Sequence, residues 1–324
     1  MTLGWRVWTW KVWTWKVWPT IAVLGLVLGA ASGAQASEKV IRIGFQKYGK
    51  LVLLKSKGSL EGKLKAIGYT VEWKEFPAGP QMLEALNVGA IDFGNTGETP
   101  PIFAQAAGAP LVYFAYEPPA PKGEAILVPP GSPIKAVADL KGKKVALNKG
   151  SNVHFLLVEA LKKAGIQYSD ITPVFLTPAD ARAAFEKGAV DAWVIWDPYQ
   201  AAAEKTFKAR ELVNAEGLVP NYQFYLASRK ALDVHAKALD IVLEQLREVD
   251  TWAKGDIKAV AAQLSASIGI PADVLEVALT RQAYGIRSID AKVITDQQKL
   301  ADVFFGLGLI PKALKISDAV RSGS

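Results

Sequence analysis

The chain has 324 residues and 34.9 kDa, half of them hydrophobic (50%) and 21% charged, a balance that excludes a disordered chain, a collagen-like fibre and a polytopic membrane protein. The formal charge of +7 is spread without dense basic clusters, so nucleic acid is not an expected partner. Zero cysteines exclude disulfides, thiolate metal sites and cysteine nucleophiles, and two histidines, His154 and His235, exclude a multi-histidine zinc site; no metal or cofactor is expected.

The chain opens as an export signal. Arg6, Lys11 and Lys16 give a positive start, residues 21–31 an apolar run, and Ala34-Gln35-Ala36 the small residues a signal peptidase reads. Cleavage is expected between Ala36 and Ser37, with 1–36 as signal peptide. The apolar run is short for a membrane span of about 20 residues. An uncleaved anchor is the alternative, because the tandem Trp8-Thr9-Trp10-Lys11-Val12 and Trp13-Thr14-Trp15-Lys16-Val17 suit a membrane interface. Without a cysteine to lipidate, an exported product is free in solution, which in a Gram-negative cell means the periplasm.

In chain order, residues 40–45 read as a strand, 46–49 as a loop and 51–66 as a helix. Residues 69–75 are a second strand, 81–88 a helix stopped by Gly89, and 91–93 a third short strand. Residues 144–147, 148–152 and 153–164 then repeat strand, loop and helix, with Val153, Leu156, Leu157, Ala160, Leu161 and Ala164 as the core-facing stripe. Ala85-Leu86-Asn87-Val88-Gly89-Ala90-Ile91-Asp92 is echoed at constant offset by Ala184-Phe185-Glu186-Lys187-Gly188-Ala189-Val190-Asp191. Chance likeness of two common αβ turns is the competing explanation. Alternation of strands and helices predicts an α/β protein with a parallel sheet, here in two lobes.

Residues 125–128, flanked by prolines, and 222–227 read as crossings between the lobes. The first lobe is then 38–120 plus 227–324 and the second 121–226, each a mainly parallel sheet flanked by helices, joined by a two-strand hinge. A ligand is expected in the cleft between them, at the carboxyl ends of strands.

Three helix starts can face that cleft and offer unpaired N–H groups to an anion: the one after Gln46-Lys47-Tyr48-Gly49, the one within Asn95-Thr96-Gly97-Glu98-Thr99-Pro100-Pro101, and the one at Lys149-Gly150-Ser151-Asn152. Ordinary capping is the better explanation of any one of them alone, and it is the three at equivalent topological places that point to an anion. Trp196 and Asp197 fall at the end of a strand beside the cleft, and Trp193 and Trp196 also fit core packing. Glu117, at the end of residues 111–116, reads either as a ligand acceptor or as a solvated or lysine-paired carboxylate. Arg281-Gln282-Ala283-Tyr284-Gly285-Ile286-Arg287 is a basic and aromatic cluster within reach of the cleft or on the surface. No nucleophile elbow, phosphate loop, His-Glu-x-x-His or dinucleotide fingerprint occurs, so an enzyme would have to rely on groups such as His154 and Asp180.

At Gly44-Phe45-Gln46-Lys47, at residues 76–89, 96–106 and 176–185, and at Ile195-Trp196-Asp197-Pro198-Tyr199, the chain resembles the periplasmic aliphatic sulfonate-binding proteins of ABC importers. The likeness spans nearly all of 40–315. It implies a type II periplasmic-binding-protein fold that closes on an alkanesulfonate and presents it to a membrane permease with its cytoplasmic ATPase, for sulfur acquisition. It implies ligand contacts at Gln46, Thr96, Gly97, Ser151, Asn152 and Trp196, with Glu117, Asp197 and Arg281 as further members. The loop Lys47-Tyr48-Gly49-Lys50 departs from relatives. Taurine, nitrate or a pyrimidine vitamin precursor on the same fold is the alternative, and a zwitterion would take Glu117 or Asp197 as its ammonium partner. A monomer that makes and breaks no bond is expected.

Overall fold

A computed structural model describes residues 39–321, so the expected signal peptide and its cleavage point lie outside the described residues. The chain begins with β1 (Lys39–Phe45), α1 (Lys50–Lys57), α2 (Ser59–Lys65), β2 (Tyr69–Glu75), α3 (Gly79–Asn87), β3 (Phe93–Gly97), α4 (Pro100–Ala106) and β4 (Leu111–Glu117). It then crosses to β5 (Glu124–Val128), β6 (Lys144–Leu147), α5 (Asn152–Lys163), β7 (Thr172–Phe175), α6 (Pro178–Glu186), β8 (Ala192–Trp196), α7 (Tyr199–Ala202) with an adjoining π-helical turn at Ala203–Phe207, and β9 (Arg210–Asn214). The return comprises β10 (Gln223–Ser228), α8 (Arg229–Gly255), α9 (Ile257–Ile268), α10 (Ala272–Arg281) and α11 (Ala291–Gly306).

Two five-stranded sheets result, ordered β2-β1-β3-β10-β4 and β7-β6-β8-β5-β9. The two orders are one plan used twice. In each, strand–helix–strand units pair in parallel, and the fourth place is taken by a strand that has just crossed from the other lobe and lies antiparallel to both neighbours. The fold is therefore the expected two-lobed α/β architecture, with each sheet mixed by one strand. Residues 223–226, expected in the second lobe, are hydrogen-bonded between β3 and β4 and belong to the first sheet. The stretch 222–227 looked like a connection because it is short and β-rich; its pairing partners lie more than a hundred residues back in the chain and are invisible locally.

The internal echo has a physical basis. Asp92 accepts the Arg42 N–H through its side chain at 2.8 Å and donates its own N–H to the Arg42 carbonyl at 2.8 Å. Asp191 does the same with Lys144, at 2.8 and 2.9 Å. Gly89 and Gly188, at φ 72° and 70°, make the left-handed turn that aims each aspartate at its strand.

Hydrophobic side chains fill the space between each sheet and its helices. Around the first sheet, Ile41, Ile43 and Phe93 pack with Leu51 and Leu54 of α1 and with Leu239, Val242, Leu246 and Val249 of α8, at the helical spacing of a buried stripe. Trp193 is 1% exposed and its ring lies 5.8 Å from Phe185, so it is a core residue of the second lobe. The carboxyl ends of β1, β3, β6 and β8 deliver Gln46, Gly97, Asn148 and Trp196 to the space between the sheets. Among the described residues no helix is long and apolar enough to cross a membrane.

Candidate functional site

A narrow, nearly filled cavity lies between the two lobes. The first lobe lines it with Gln46, Tyr48, Gly79, Asn95, Gly97, Pro100 and Gln223, and the second with Ser151, Asn152 and Trp196. Three of these residues, Gly79, Pro100 and Asn152, are the first residues of α3, α4 and α5. None of the three helices has a side-chain cap. The first helical hydrogen bonds are given by Met82, Ile102 and His154, so the N–H groups ahead of them are the ones a helix leaves unpaired. In α5 these are Asn152 and Val153, in α3 Gly79 and Gln81. In α4 both places are prolines, Pro100 and Pro101, which have no N–H to offer. The donors therefore come from one helix of each lobe, and the partial positive charge from all three.

The lobes meet closely here. A Cβ on Gly97 would stand 2.8 Å from Cγ and Oδ1 of Asn152, closer than side-chain carbons approach, so only glycine lets the end of β3 lie against the start of α5. Asn152 Nδ2 donates to Glu124 and, at 3.1 Å, to Asn221 Oδ1, which ties the start of α5 to the first residue of β5 and to the chain returning to the first lobe. Gln46 Nε2 donates to the Asn95 carbonyl at 3.1 Å, and Ser151 Oγ to the Asn148 carbonyl at 2.7 Å. Trp196 is 6% exposed and forms an aromatic wall, held edge-on by Tyr199 with ring centroids 6.3 Å apart.

Of the residues expected from sequence, Gln46, Gly97, Ser151, Asn152 and Trp196 meet at this cavity. Thr96, Glu117, Asp197 and Arg281 stand behind it. Thr96 is fully buried and its hydroxyl donates to the Gly97 carbonyl at 3.0 Å. Glu117 accepts from the buried Lys50 Nζ at 2.8 Å and from Tyr225 Oη at 2.6 Å, so its carboxylate is lysine-paired. Asp197 accepts the Ala201 N–H at 3.0 Å and faces Arg281 Nη1 at 3.5 Å. Burial pushes its carboxyl up to about 7, against the pull of Arg281. Arg281 itself is bonded to Glu204 at 2.7 Å.

Sequence reasoning assigned no ligand contact to Tyr48, Gly79, Asn95, Pro100 or Gln223. Gly79 lies between the strand expected at 69–75 and the helix expected at 81–88, and that helix in fact begins two residues earlier, with Pro80 at its second position. Gln223 reaches the cavity only because β10 lies beside β3.

The site is electrostatically muted. No lysine or arginine lines the cavity. Glu124 and Glu98, both buried behind it, are held far toward their neutral forms: burial raises Glu98 to about 8, and burial with the nearby Glu98 raises Glu124 well above the carboxylate range. His154, the third residue of α5, accepts the Gly150 N–H at Nδ1 (3.3 Å) and faces Tyr168 Oη from Nε2 (3.0 Å). Burial, then Lys149, lowers it to about 4. Asp180 is exposed and accepts from Thr177, so the two groups an enzyme would need are engaged separately. A larger, open groove of about 700 Å³ lies between α5 and α11, but it collects Val158, Tyr168, Val303 and Leu307 rather than helix starts.

The chain matches the NMT1/THI5-like family over residues 64–244. It is 46% identical over 304 residues to a protein of Escherichia coli (strain K12) named for binding aliphatic sulfonates, covering 93% of this chain and 95% of that protein. It is 42% identical to the alkanesulfonate-binding protein SsuA from Xanthomonas axonopodis pv. citri bound to MOPS, with a TM-score of 0.82 over 87% of this chain and 98% of that one. A taurine-binding periplasmic protein of Escherichia coli (strain K12) is 30% identical over 195 residues, 60% of this chain and 58% of that protein. These relatives are binding proteins, not enzymes. With its two-sheet plan and a full-length likeness at this level of identity, the chain belongs to the NMT1/THI5-like family and, within it, to the aliphatic sulfonate-binding proteins.

Proposed function

We propose that the protein captures an aliphatic sulfonate in the interlobe cavity, as the soluble receptor of an ABC importer, and makes no chemical change in it. The observation that carries this reading is the convergence of uncapped helix starts on one small cavity without a cation. A sulfonate is a permanent monoanion with three acceptor oxygens. Main-chain N–H groups, amides and hydroxyls satisfy it at lower desolvation cost than a buried lysine would. Gln46, Gly79, Gly97, Ser151 and Asn152 are proposed around the sulfonate group and Tyr48 and Trp196 around its carbon chain, with Thr96, Glu117, Asp197 and Arg281 supporting them from behind. Glu117 and Asp197 already face Lys50 and Arg281, which speaks against a zwitterion whose ammonium would need a carboxylate.

Capture is proposed to proceed by rotation about the connections between the sheets, at residues 118–123 and 215–222 in place of the expected 125–128 and 222–227, which are strands of the second and first sheets, with the closed population recognised by a membrane permease powered by a cytoplasmic ATPase. Export to the periplasm, with cleavage between Ala36 and Ser37, is part of the same proposal. Calorimetric titration of the exported protein with ethanesulfonate, longer alkanesulfonates, taurine, nitrate and sulfate at equal ionic strength tests it. Saturable alkanesulfonate binding with weak sulfate binding is expected; binding of nitrate or taurine in place of every alkanesulfonate would reassign the ligand.

A further inference from the structure

On one flank of the cleft, α10 of the first lobe lies against α7 and the π-helical turn of the second. Val274 of α10 is 1% exposed and packs on Ala201 and Ala202, whose small side chains let the two elements approach. Two ion pairs of opposite polarity bracket this contact. Arg281, the last residue of α10, pairs with Glu204 at 2.7 Å and faces Asp197 at 3.5 Å; Asp273, near its start, pairs with Lys205 at 2.8 Å. Glu204 and Lys205 are consecutive and both lie in the π turn. A π turn has more residues per revolution than an α-helix, so successive side chains diverge less and two neighbours can reach the same helix.

The flank is tied to the cavity from both sides. Asp197 directly follows Trp196, the aromatic wall. Arg281 directly precedes Gln282, whose side chain accepts from the buried Lys50 at 2.9 Å, and Lys50 opens the helix that follows Tyr48 of the cavity wall. The Arg281 carbonyl lies 3.9 Å from where a Cβ on Gly123 would stand, so α10 ends at the first crossing between the lobes. A lobe movement that parts α10 from α7 would draw Arg281 away from Asp197, which is fully buried, and from Glu204, which is 21% exposed.

We infer that this contact is a closure latch, in which Arg281 is a positioning residue that holds the second lobe's Asp197–Trp196 wall against the first lobe. The effect on ligand affinity rests on the reading of the cavity as the sulfonate site; the effect on lobe closure does not. The exported protein, purified without ligand, is compared by small-angle X-ray scattering with Arg281→Gln, Lys205→Glu, Asp273→Lys and the Lys205→Glu/Asp273→Lys exchange, and each is titrated with ethanesulfonate. Ligand-free Arg281→Gln is expected to show a larger radius of gyration than wild type, to bind about tenfold more weakly, and to return to the wild-type radius at saturation. Each single reversal at the exposed pair is expected to weaken binding about threefold, and the exchange to restore it. Wild-type scattering and affinity in Arg281→Gln would overturn the latch, as would an exchange that behaves no better than its single variants. The exposed pair keeps the test open if Arg281→Gln folds poorly. A wild-type protein that binds no ethanesulfonate would overturn the sulfonate reading, while ligand-free scattering would still decide the latch.

Discussion

Helices in this protein begin in two ways. Away from the cavity, α6, α8, α9 and α11 start behind Thr177, Ser228, Asp256 and Asp290, each accepting an N–H of the first turn at 2.9–3.4 Å. At the cavity, α3, α4 and α5 start behind Ala78, Thr99 and Ser151 with no such bond, although Thr and Ser are good caps. Ser151 turns its hydroxyl back to the Asn148 carbonyl instead. At α3 and α5 first-turn N–H groups are left without an acceptor, which the proposed anion would supply, whereas α4 opens on two prolines that have no N–H to pair. An uncapped start is not enough by itself, since α1, α2, α7 and α10 also begin without a side-chain cap and do not line the cavity. Convergence of several starts on one space is what distinguishes the site.

The largest effect expected from this contrast is on the acid side of the stability curve. His154 braces the start of α5 only as a neutral imidazole, because a charge there meets both burial and the positive helix end. Its pKa falls from 6.5 unfolded to about 4 folded, so its stabilisation is complete above 6.5 and is lost as pH falls toward 4. That amounts to about 3 kcal/mol, and His154→Phe should flatten the acid limb of denaturant melts recorded between those pH values.

Next is Gly97→Ala. Its methyl would wedge the end of β3 from Asn152, weakening ethanesulfonate binding by about tenfold or more, roughly 1.4 kcal/mol, at a nearly unchanged Tm. Unaltered affinity would break the link between close lobe approach and binding. The smallest effects form a crossed pair. Asp256→Ala should cost about 1 kcal/mol of folding stability and leave affinity alone, whereas Ser151→Ala should cost up to about 1 kcal/mol of affinity and little stability. Melting and titrating both variants checks the contrast directly, and a stability loss in Ser151→Ala as large as that in Asp256→Ala would erase it.

Much of this was legible in the chain itself. The echo of residues 85–92 in 184–191 announced two lobes on one plan, because helix stop, left-handed glycine and strand-locking aspartate are all local requirements. Gln46, Gly97, Ser151, Asn152 and Trp196 follow or close strands, and residues at the carboxyl ends of parallel strands face the cleft whatever the rest of the chain does. Glu117 and Arg281 were harder. Their charges suggested a ligand, yet the partners that occupy them, Lys50 for one and Glu204 for the other, lie 67 and 77 residues away in sequence.

What the sequence determines, then, is periodicity, turns, caps and the order of strands along the chain, all set by interactions over a few residues. Tertiary structure alone decides which strand lies beside which, so that Gln223 joins the cavity next to β3, and which charges are spent on each other. It also decides how closely Gly97 and Asn152 approach. These depend on the packing of whole lobes, where burial and close contact act between residues that no local pattern connects.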